Sequence, residues 1–237
     1  MDNDWIVPGT MQVIDLSHTI DETMPHWPSD PRTRFTLVAD VKKHGYMLRK
    51  MTVGEHSGTH LGAPCHFGGG NGVDDIKPQQ LIVPGVKIDV TAESASDANF
   101  LLSVENIQRW EQRCGAIPRG SLVLVQTGWS RYWSSPDLYF GLKKGGMHFP
   151  GVSGAAAAFL MCERRIVGIG IDTAGVDGGQ SKAFRANKGL ARGGAYHLEN
   201  LTNLNEIKGR DFIVFVGALK IKGGSGSPCR VLAFCKE

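Results

Sequence analysis

A short stretch around residue 60 concentrates side chains that could hold a metal ion or move protons. In "EHSGTHLGAPCHF" (residues 55–67), His56 and His60 stand four residues apart and His66 follows six residues later. Imidazole is both a common metal ligand and the side chain that most readily exchanges a proton near neutral pH. The glycines and the proline of the stretch disfavour a regular helix and predict a loop whose backbone can approach a ligand closely. We therefore predict a functional site here.

The elements that must position this site are mostly strands. Seven apolar segments bounded by turn residues are predicted strands: "QVIDLS", "TRFTLVADV", "GVKIDVT", "SLVLVQTGW", "RIVGIGIDT", "FIVFVGALKI" and "CRVLAF". Residues 103–115 and 153–165 are predicted helices, because the first has apolar residues at helical spacing and the second has an alanine run. Ser103 and Ser153 can cap these helices, and Gly115 can end the first one.

Each predicted helix is followed within a short turn by an apolar strand, which indicates an α/β fold rich in sheet. The chain has no repeat period and no segment with the composition of a linker. We therefore predict one domain over residues 1–237.

The composition and net charge indicate which classes of partner are expected. Hydrophobic residues make up 41% of the chain and charged residues 21%, as in an ordinary globular protein. The formal charge is +3 and no dense run of Lys and Arg occurs, so nucleic acid is not an expected partner. No apolar run approaches the roughly 20 residues that span a bilayer, and the acidic start lacks the basic region of a signal peptide. A cytoplasmic protein that acts on a small molecule, away from membranes, is expected.

The histidine stretch resembles the signature of the cyclase family of metal-dependent hydrolases, which includes kynurenine formamidase and isatin hydrolase. The family pattern is His-x-Gly-Thr-His-x-Asp-x-Pro-x-His, and this chain has "HSGTHLGAPCHF". Other segments resemble the family in order: "VIDLSHTIDETMPHWPSDP", "VLVQTGWSRYW", "HFPGVSGAAAAFL", "VGIGIDTAGVDGGQSKAF", "LENLTNLNEI" and "LKIKGGSGSPCRVLAF". The resemblance implies a barrel-like mixed β-sheet flanked by helices, and a homodimer or homotetramer.

The resemblance also implies residue roles. His56 and His60 match two metal ligands, His66 matches the catalytic histidine, and Glu199 in "LENL" matches a ligating glutamate. Trp27 and His26 in "MPHWPSDP" match a segment that lines the substrate pocket of relatives. Trp129 in "QTGWSRYW" is a further predicted pocket residue, since aromatic side chains suit a flat apolar substrate.

Two ligand positions depart from the family pattern. Gly62 stands where the family has aspartate, and Asn187 stands where it usually has histidine. Glycine has no ligand atom, and a neutral amide oxygen is a poor replacement for imidazole on zinc. We therefore predict that the family's dinuclear metal centre is absent, and that Asn187 and the nearby Arg185 contact substrate instead. Arg185 could stabilise a developing oxyanion, with an exposed loop arginine as the alternative.

Three functions are compatible with these residues. The leading hypothesis is an enzyme of secondary metabolism without a metal cofactor, in which His66 and Glu199, with His56 and His60, perform acid–base chemistry on a small carbonyl compound. Ring closure, ring opening, dehydration or isomerisation would suit such a site.

The first alternative is a hydrolase of an amide, lactam or lactone that uses one Mn or Zn ion on His56, His60 and either Glu199 or His197. His197 shares a strand face with Glu199 if the segment is extended, but we expect His197 to be a solvated residue before a turn. The second alternative is a metabolite-binding protein without catalysis.

Overall fold

The structure, a computed structural model that describes residues 11–143 and 145–236, contains twelve strands. The strands are β1 (Met11–Asp15), β2 (Arg34–Ala39), β3 (Leu48–Thr52), β4 (His60–Gly62), β5 (Ile82–Asp89), β6 (Leu101–Leu102), β7 (Leu122–Gln126), β8 (Gly151–Val152), β9 (Gly168–Ile171), β10 (Tyr196–Glu199), β11 (Phe212–Ala218) and β12 (Gly226–Lys236). The acidic start of the chain, residues 1–10, lies outside the described residues.

Helices are fewer and mostly short. They are α1 (Val41–His44), α2 (Thr91–Ser96), α3 (Val104–Cys114), α4 (Pro136–Tyr139), α5 (Gly154–Phe159) and α6 (Arg185–Arg192). A π-helical turn at Leu160–Arg164 continues α5, and 3₁₀ turns occur at Pro64–Phe67, Val73–Asp75, Pro78–Gln80, Trp129–Tyr132 and Leu204–Glu206. None of the helices in the described residues has the length and hydropathy that a membrane crossing needs.

The main sheet closes on itself. Its strands follow the order β12-β11-β5-β7-β9-β10-β4, and β4 pairs again with β12. The neighbours β5, β7, β9 and β10 run parallel, and the other pairs are antiparallel. β12 is 11 residues long, so β4 pairs with its beginning and β1 with its end. The predicted barrel-like mixed sheet is confirmed.

Alternation along the strands divides the core into two layers. In β7, Leu122 and Leu124 belong to a cluster built from strands around the ring, whereas Val123 and Val125 pack in a second cluster with α3, α5 and α6. Because successive side chains of a strand point to opposite faces, the first cluster fills the barrel and the second joins its outer face to the helices.

All seven predicted strands and both predicted helices are present. Ser103 caps α3 by accepting from the Asn106 N–H, and Ser153 caps α5 in the same way with Ala156. The sequence patterns did not reveal β3, β4, β6, β8 or β10, nor the helices α1, α2, α4 and α6. β4 is only three residues long and ends in glycine, and α6 is rich in polar residues, so neither has a strong apolar period.

Candidate active site

The candidate site lies on the outer face of the barrel, where β4 and β10 pair. Leu61 and Leu198 belong to the cluster inside the barrel, so the residues beside them in each strand point outward. These outward residues are His60 and Gly62 in β4, and His197 and Glu199 in β10.

The antiparallel register of the two strands fixes which of these residues meet. Glu199 is directly opposite His60, and His197 is directly opposite Gly62. Directly opposite side chains share one face and come close together. The result is a distance of 3.3 Å between His60 Nε2 and Glu199 Oε2.

Three imidazoles converge at this point. One ligand atom from each of His56, His60 and His197 lies within 4.8 Å of the other two. His56 comes from the loop that leads into β4, and its ring also stacks on His66 with 3.8 Å between ring centroids. The expectation of a solvated His197 is wrong, since this residue is only 3% exposed. Glu199, the predicted third ligand, lies beside the group of three.

The hydrogen bonds of His60 leave the lone pair of its Nε2 without a partner in the described part of the chain. His60 Nδ1 lies 2.9 Å from the Gly58 carbonyl oxygen, which can only accept, so the proton is on Nδ1. Nε2 then carries a lone pair, is buried, and has no hydrogen-bond partner among the described residues. It faces the Glu199 carboxylate across 3.3 Å, so two acceptors oppose each other unless a cation or a second proton is bound near them. This arrangement fits a bound cation.

His56 is oriented by a chain of hydrogen bonds. The Ser225 hydroxyl and N–H donate to Glu55 Oε2 at 2.6 and 2.9 Å. Ser225 Oγ therefore accepts from His56 Nε2, 3.0 Å away, and the lone pair of His56 is on Nδ1. Metal-binding histidines are commonly held in this way by an outer carboxylate or hydroxyl.

Burial keeps the rings of His56 and His197 neutral. It lowers the pKa of His56 to about 2 and the pKa of His197 to about 4, so both rings are uncharged at pH 7 and can act as ligands. Burial alone raises the pKa of the Glu199 carboxyl, but His197, His60 and the Val176 N–H outweigh it and lower that pKa. Glu199 is therefore ionised beside a set of neutral nitrogen donors. The site fits one divalent metal, the alternative expectation, better than none.

A cavity of about 340 Å³ opens over the histidines. Of the sequence-predicted site residues, seven line it: His26, Trp27, His56, His60, His66, Asn187 and Glu199. Asn187 is 3% exposed and its Oδ1 has no hydrogen-bond partner among the described residues. Its position is fixed by the first turn of α6, where its N–H donates to Asp177 Oδ2 at 3.0 Å.

Two predicted substrate contacts lie elsewhere. Trp129 packs in an aromatic cluster behind the cavity, and its indole N–H donates to the Tyr139 carbonyl at 2.7 Å. Arg185 is exposed at the start of α6 and borders a separate surface depression. The pocket role predicted for both residues is wrong: Trp129 is a core residue, and the Arg185 side chain is on the surface.

Sequence patterns did not single out the residues that support the site. Asn200 has a positive φ of 58°, donates to the Gly58 carbonyl at 2.8 Å and accepts from the Tyr139 hydroxyl at 2.8 Å. It thereby fixes the loop whose carbonyl orients His60. Glu55 and Ser225 were also missed, although both lie in segments that resemble the family.

The Cyclase family model, described as "Putative cyclase", matches residues 14–178. The chain belongs to the cyclase family. It is 31% identical to an isatin hydrolase of Roseibium aggregatum over 96% of this chain and 93% of that protein. It is 26% identical to a kynurenine formamidase of Bacillus mycoides, over 94% and 97% of the two chains.

The solved structure of isatin hydrolase A from Ralstonia solanacearum is also similar, with a TM-score of 0.90 and 33% identity over 96% of this chain and 93% of that one. This cyclase-family protein is therefore a hydrolase-like enzyme.

Proposed function

We propose that this protein is a metal-dependent hydrolase that cleaves an amide bond in a small aromatic amide, with a cyclic amide as the first candidate and an aryl formamide as the second. One divalent cation would be held by His56, His60 and His197. The observation that carries the proposal is the convergence of the three imidazoles, with the free lone pair of His60 Nε2 facing the Glu199 carboxylate.

The donor set suits a borderline cation such as zinc. Neutral imidazole nitrogens are good ligands for zinc and related ions, and the pKa values of His56 and His197 leave both rings unprotonated at pH 7. When bound, a divalent cation polarises a carbonyl and makes water acidic enough to attack it near neutral pH.

Glu199 is the residue placed to move the proton. Its Oε1 accepts from the Val176 N–H at 2.9 Å, so the carboxylate is fixed, and Oε2 points toward His60. An ionised carboxylate in this position can accept a proton from an attacking water molecule in the cavity and return it to the leaving nitrogen. His66, stacked on His56 at the exposed side of the cavity, can pass to solvent the proton that the carboxylic acid product releases.

The cavity wall favours a flat, uncharged substrate. Trp27, Phe67, Phe140 and Phe184 line it, and none of the described residues that line it is Lys or Arg. Flat rings pack well against aromatic walls, and an anionic substrate would lack a fixed positive partner. Isatin, from the name of the related isatin hydrolase, is flat and uncharged, as this cavity requires. An aryl formamide, by analogy with the related kynurenine formamidase, is a second candidate. The unpartnered Asn187 Oδ1 is placed to accept the amide N–H.

The test is hydrolysis measured together with metal content. Protein purified without a metal-affinity column is expected to hold about one Zn or Mn per chain and to open isatin. A chelator should abolish turnover and added Zn or Mn should restore it. His60→Ala should lose both properties, and His44→Ala, which removes an exposed histidine on α1, should keep them. Stoichiometric metal without hydrolysis of isatin or aryl formamides would contradict the proposal.

The same experiment decides a second candidate, acid–base catalysis without metal. A doubly protonated His60 would also explain its 3.3 Å approach to Glu199. In that case turnover survives chelation, and His66→Ala abolishes it.

A further inference from the structure

The most informative feature beyond the proposed chemistry is a row of residues across three strands. Gly226 of β12 is paired with Gly62 of β4, and Gly62 is paired with His197 of β10. These three residues form one rung of the sheet, on the face that holds the histidines.

The two glycines of this rung leave room for two imidazoles. A Cβ atom on Gly62 would overlap His197 Nε2 and Cε1. A Cβ atom on Gly226 would lie 2.5 Å from His56 Cε1, which is also too close. Any side chain at residue 62 is therefore incompatible with the observed position of His197.

Residue 62, glycine in this chain, also matches the aspartate of the family pattern that the histidine stretch resembles. From these two facts we propose that His197 replaces that carboxylate as the third metal ligand, and that the glycine at 62 exists to admit it. The third ligand would then come from β10 instead of β4, at the residue directly opposite position 62. This inference rests on the proposed metal dependence of the enzyme.

The surroundings of His197 agree with a ligand role. The residue is buried, and one of its ring nitrogens lies within 4.8 Å of a ring nitrogen of both His56 and His60. Its closest charged neighbour is Glu199, whose Oε1 lies 3.8 Å from Nε2, longer than a hydrogen bond. A cation shared with His56 and His60 would stabilise this buried polar ring.

The exchange changes the metal that the site prefers. Two imidazoles and a carboxylate suit harder ions such as Mn²⁺, whereas three neutral imidazoles suit Zn²⁺ and other borderline ions. The exchange also removes one negative charge from the ligand set. We expect Zn²⁺ to bind more tightly than Mn²⁺ and by a wider margin than in a carboxylate-containing site.

The test is a set of three variants: His197→Ala, Gly62→Asp, and the double variant that combines them. Dissociation constants for Zn²⁺ and Mn²⁺ are measured on metal-stripped protein by titration calorimetry, with thermal melting to verify folding. Loss of an outer-shell partner costs about 10- to 100-fold in affinity, so loss of a ligand should weaken Zn²⁺ binding by more than about 100-fold in His197→Ala. Gly62→Asp alone should melt at lower temperature because its Cβ meets the His197 ring.

The double variant is the decisive one. With the ring removed, the carboxylate introduced by Gly62→Asp can enter the vacated space, so the double variant should bind metal more tightly than His197→Ala and with its preference shifted toward Mn²⁺. The inference is overturned if His197→Ala keeps the Zn²⁺ affinity of the wild type, or if the double variant binds no better than His197→Ala. These readouts are independent of hydrolysis, so a protein that binds Zn²⁺ through His197 and opens no amide would contradict only the proposed function.

Discussion

His60 of β4 and Glu199 of β10 are directly opposite each other, and 3.3 Å separates their facing atoms, Nε2 and Oε2. Both side chains project from strands of the closed sheet, so neither position depends on a flexible loop. The Gly58 carbonyl fixes the ring of His60, and the Val176 N–H fixes the carboxylate of Glu199. The fixed pair therefore holds one nitrogen lone pair close to one negative charge.

Glu199→Gln should separate proton transfer from metal binding. Glutamine keeps the shape of the side chain and can still accept from the Val176 N–H, but it cannot take up a proton at neutral pH. General-base catalysis contributes about 10²- to 10⁴-fold, so kcat for amide opening should fall by that factor while the metal content stays at the wild-type value. Glu206→Gln, at an exposed glutamate outside the site, is the matched control. A variant that loses its metal would instead make Glu199 a ligand.

Ser225→Ala should weaken metal binding without touching a ligand. The substitution breaks the chain from Glu55 through Ser225 to His56, so His56 loses the partner that fixes its tautomer and ring orientation. Such outer-shell changes cost about 10- to 100-fold in metal affinity. Titration of metal-stripped protein with Zn²⁺ measures the effect, and Ser134→Ala, at an exposed serine, serves as the comparison. Equal affinities in the two variants would show that the chain has no role in positioning His56.

The sequence predicted much of this site, but it offered the third imidazole, His197, only as an alternative ligand. His56, His60 and Glu199 could be placed because they lie in segments that resemble the family, and the closed mixed sheet followed from the same resemblance. The burial of His197 depends on the register between β4 and β10, which is set by barrel closure and leaves no local signal in a four-residue strand. The pocket roles predicted for Trp129 and Arg185 were wrong for a related reason. Residue type alone does not reveal which side of a loop or helix faces the cavity.

Arg164→Met should reduce stability in a pH-dependent way. Arg164 donates to both oxygens of Glu111, at 2.6 Å from Nε and 2.8 Å from Nη2, and this ion pair joins the π-helical turn after α5 to α3. The hydrogen bonds from Arg164 lower the pKa of Glu111 in the folded state. A lowered folded-state pKa stabilises the protein above the unfolded-state value of about 4.3, and this contribution disappears as the pH falls through the folded-state pKa.

The expected loss in the free energy of unfolding at pH 7 is about 1.5–3 kcal/mol, the range for hydrogen bonds to charged groups. Urea unfolding of wild type and Arg164→Met at pH 7 and at about pH 3 measures it, and the gap between the two proteins should narrow at the lower pH. A gap of the same size at both pH values would assign the loss to the packing of Arg164 on Phe159.

The hairpin of β2 and β3 should be covered by a second copy of the chain. The two strands pair only with each other among the described residues, and the hairpin exposes seven large apolar side chains: Leu37, Val38, Val41, Tyr46, Met47, Leu48 and Met51. A two-stranded hairpin is marginally stable by itself, and clustered exposed apolar side chains mark an interaction surface.

We therefore expect light scattering to give the mass of a homodimer or a homotetramer for the wild type. Leu37→Lys combined with Met47→Lys should shift that mass to the 25.7 kDa monomer, because two charges would be buried in the contact. Leu138→Lys changes an apolar residue of comparable exposure away from the hairpin and should leave the mass unchanged. A monomeric wild type, or a double variant that still assembles, would contradict this assignment of the hairpin.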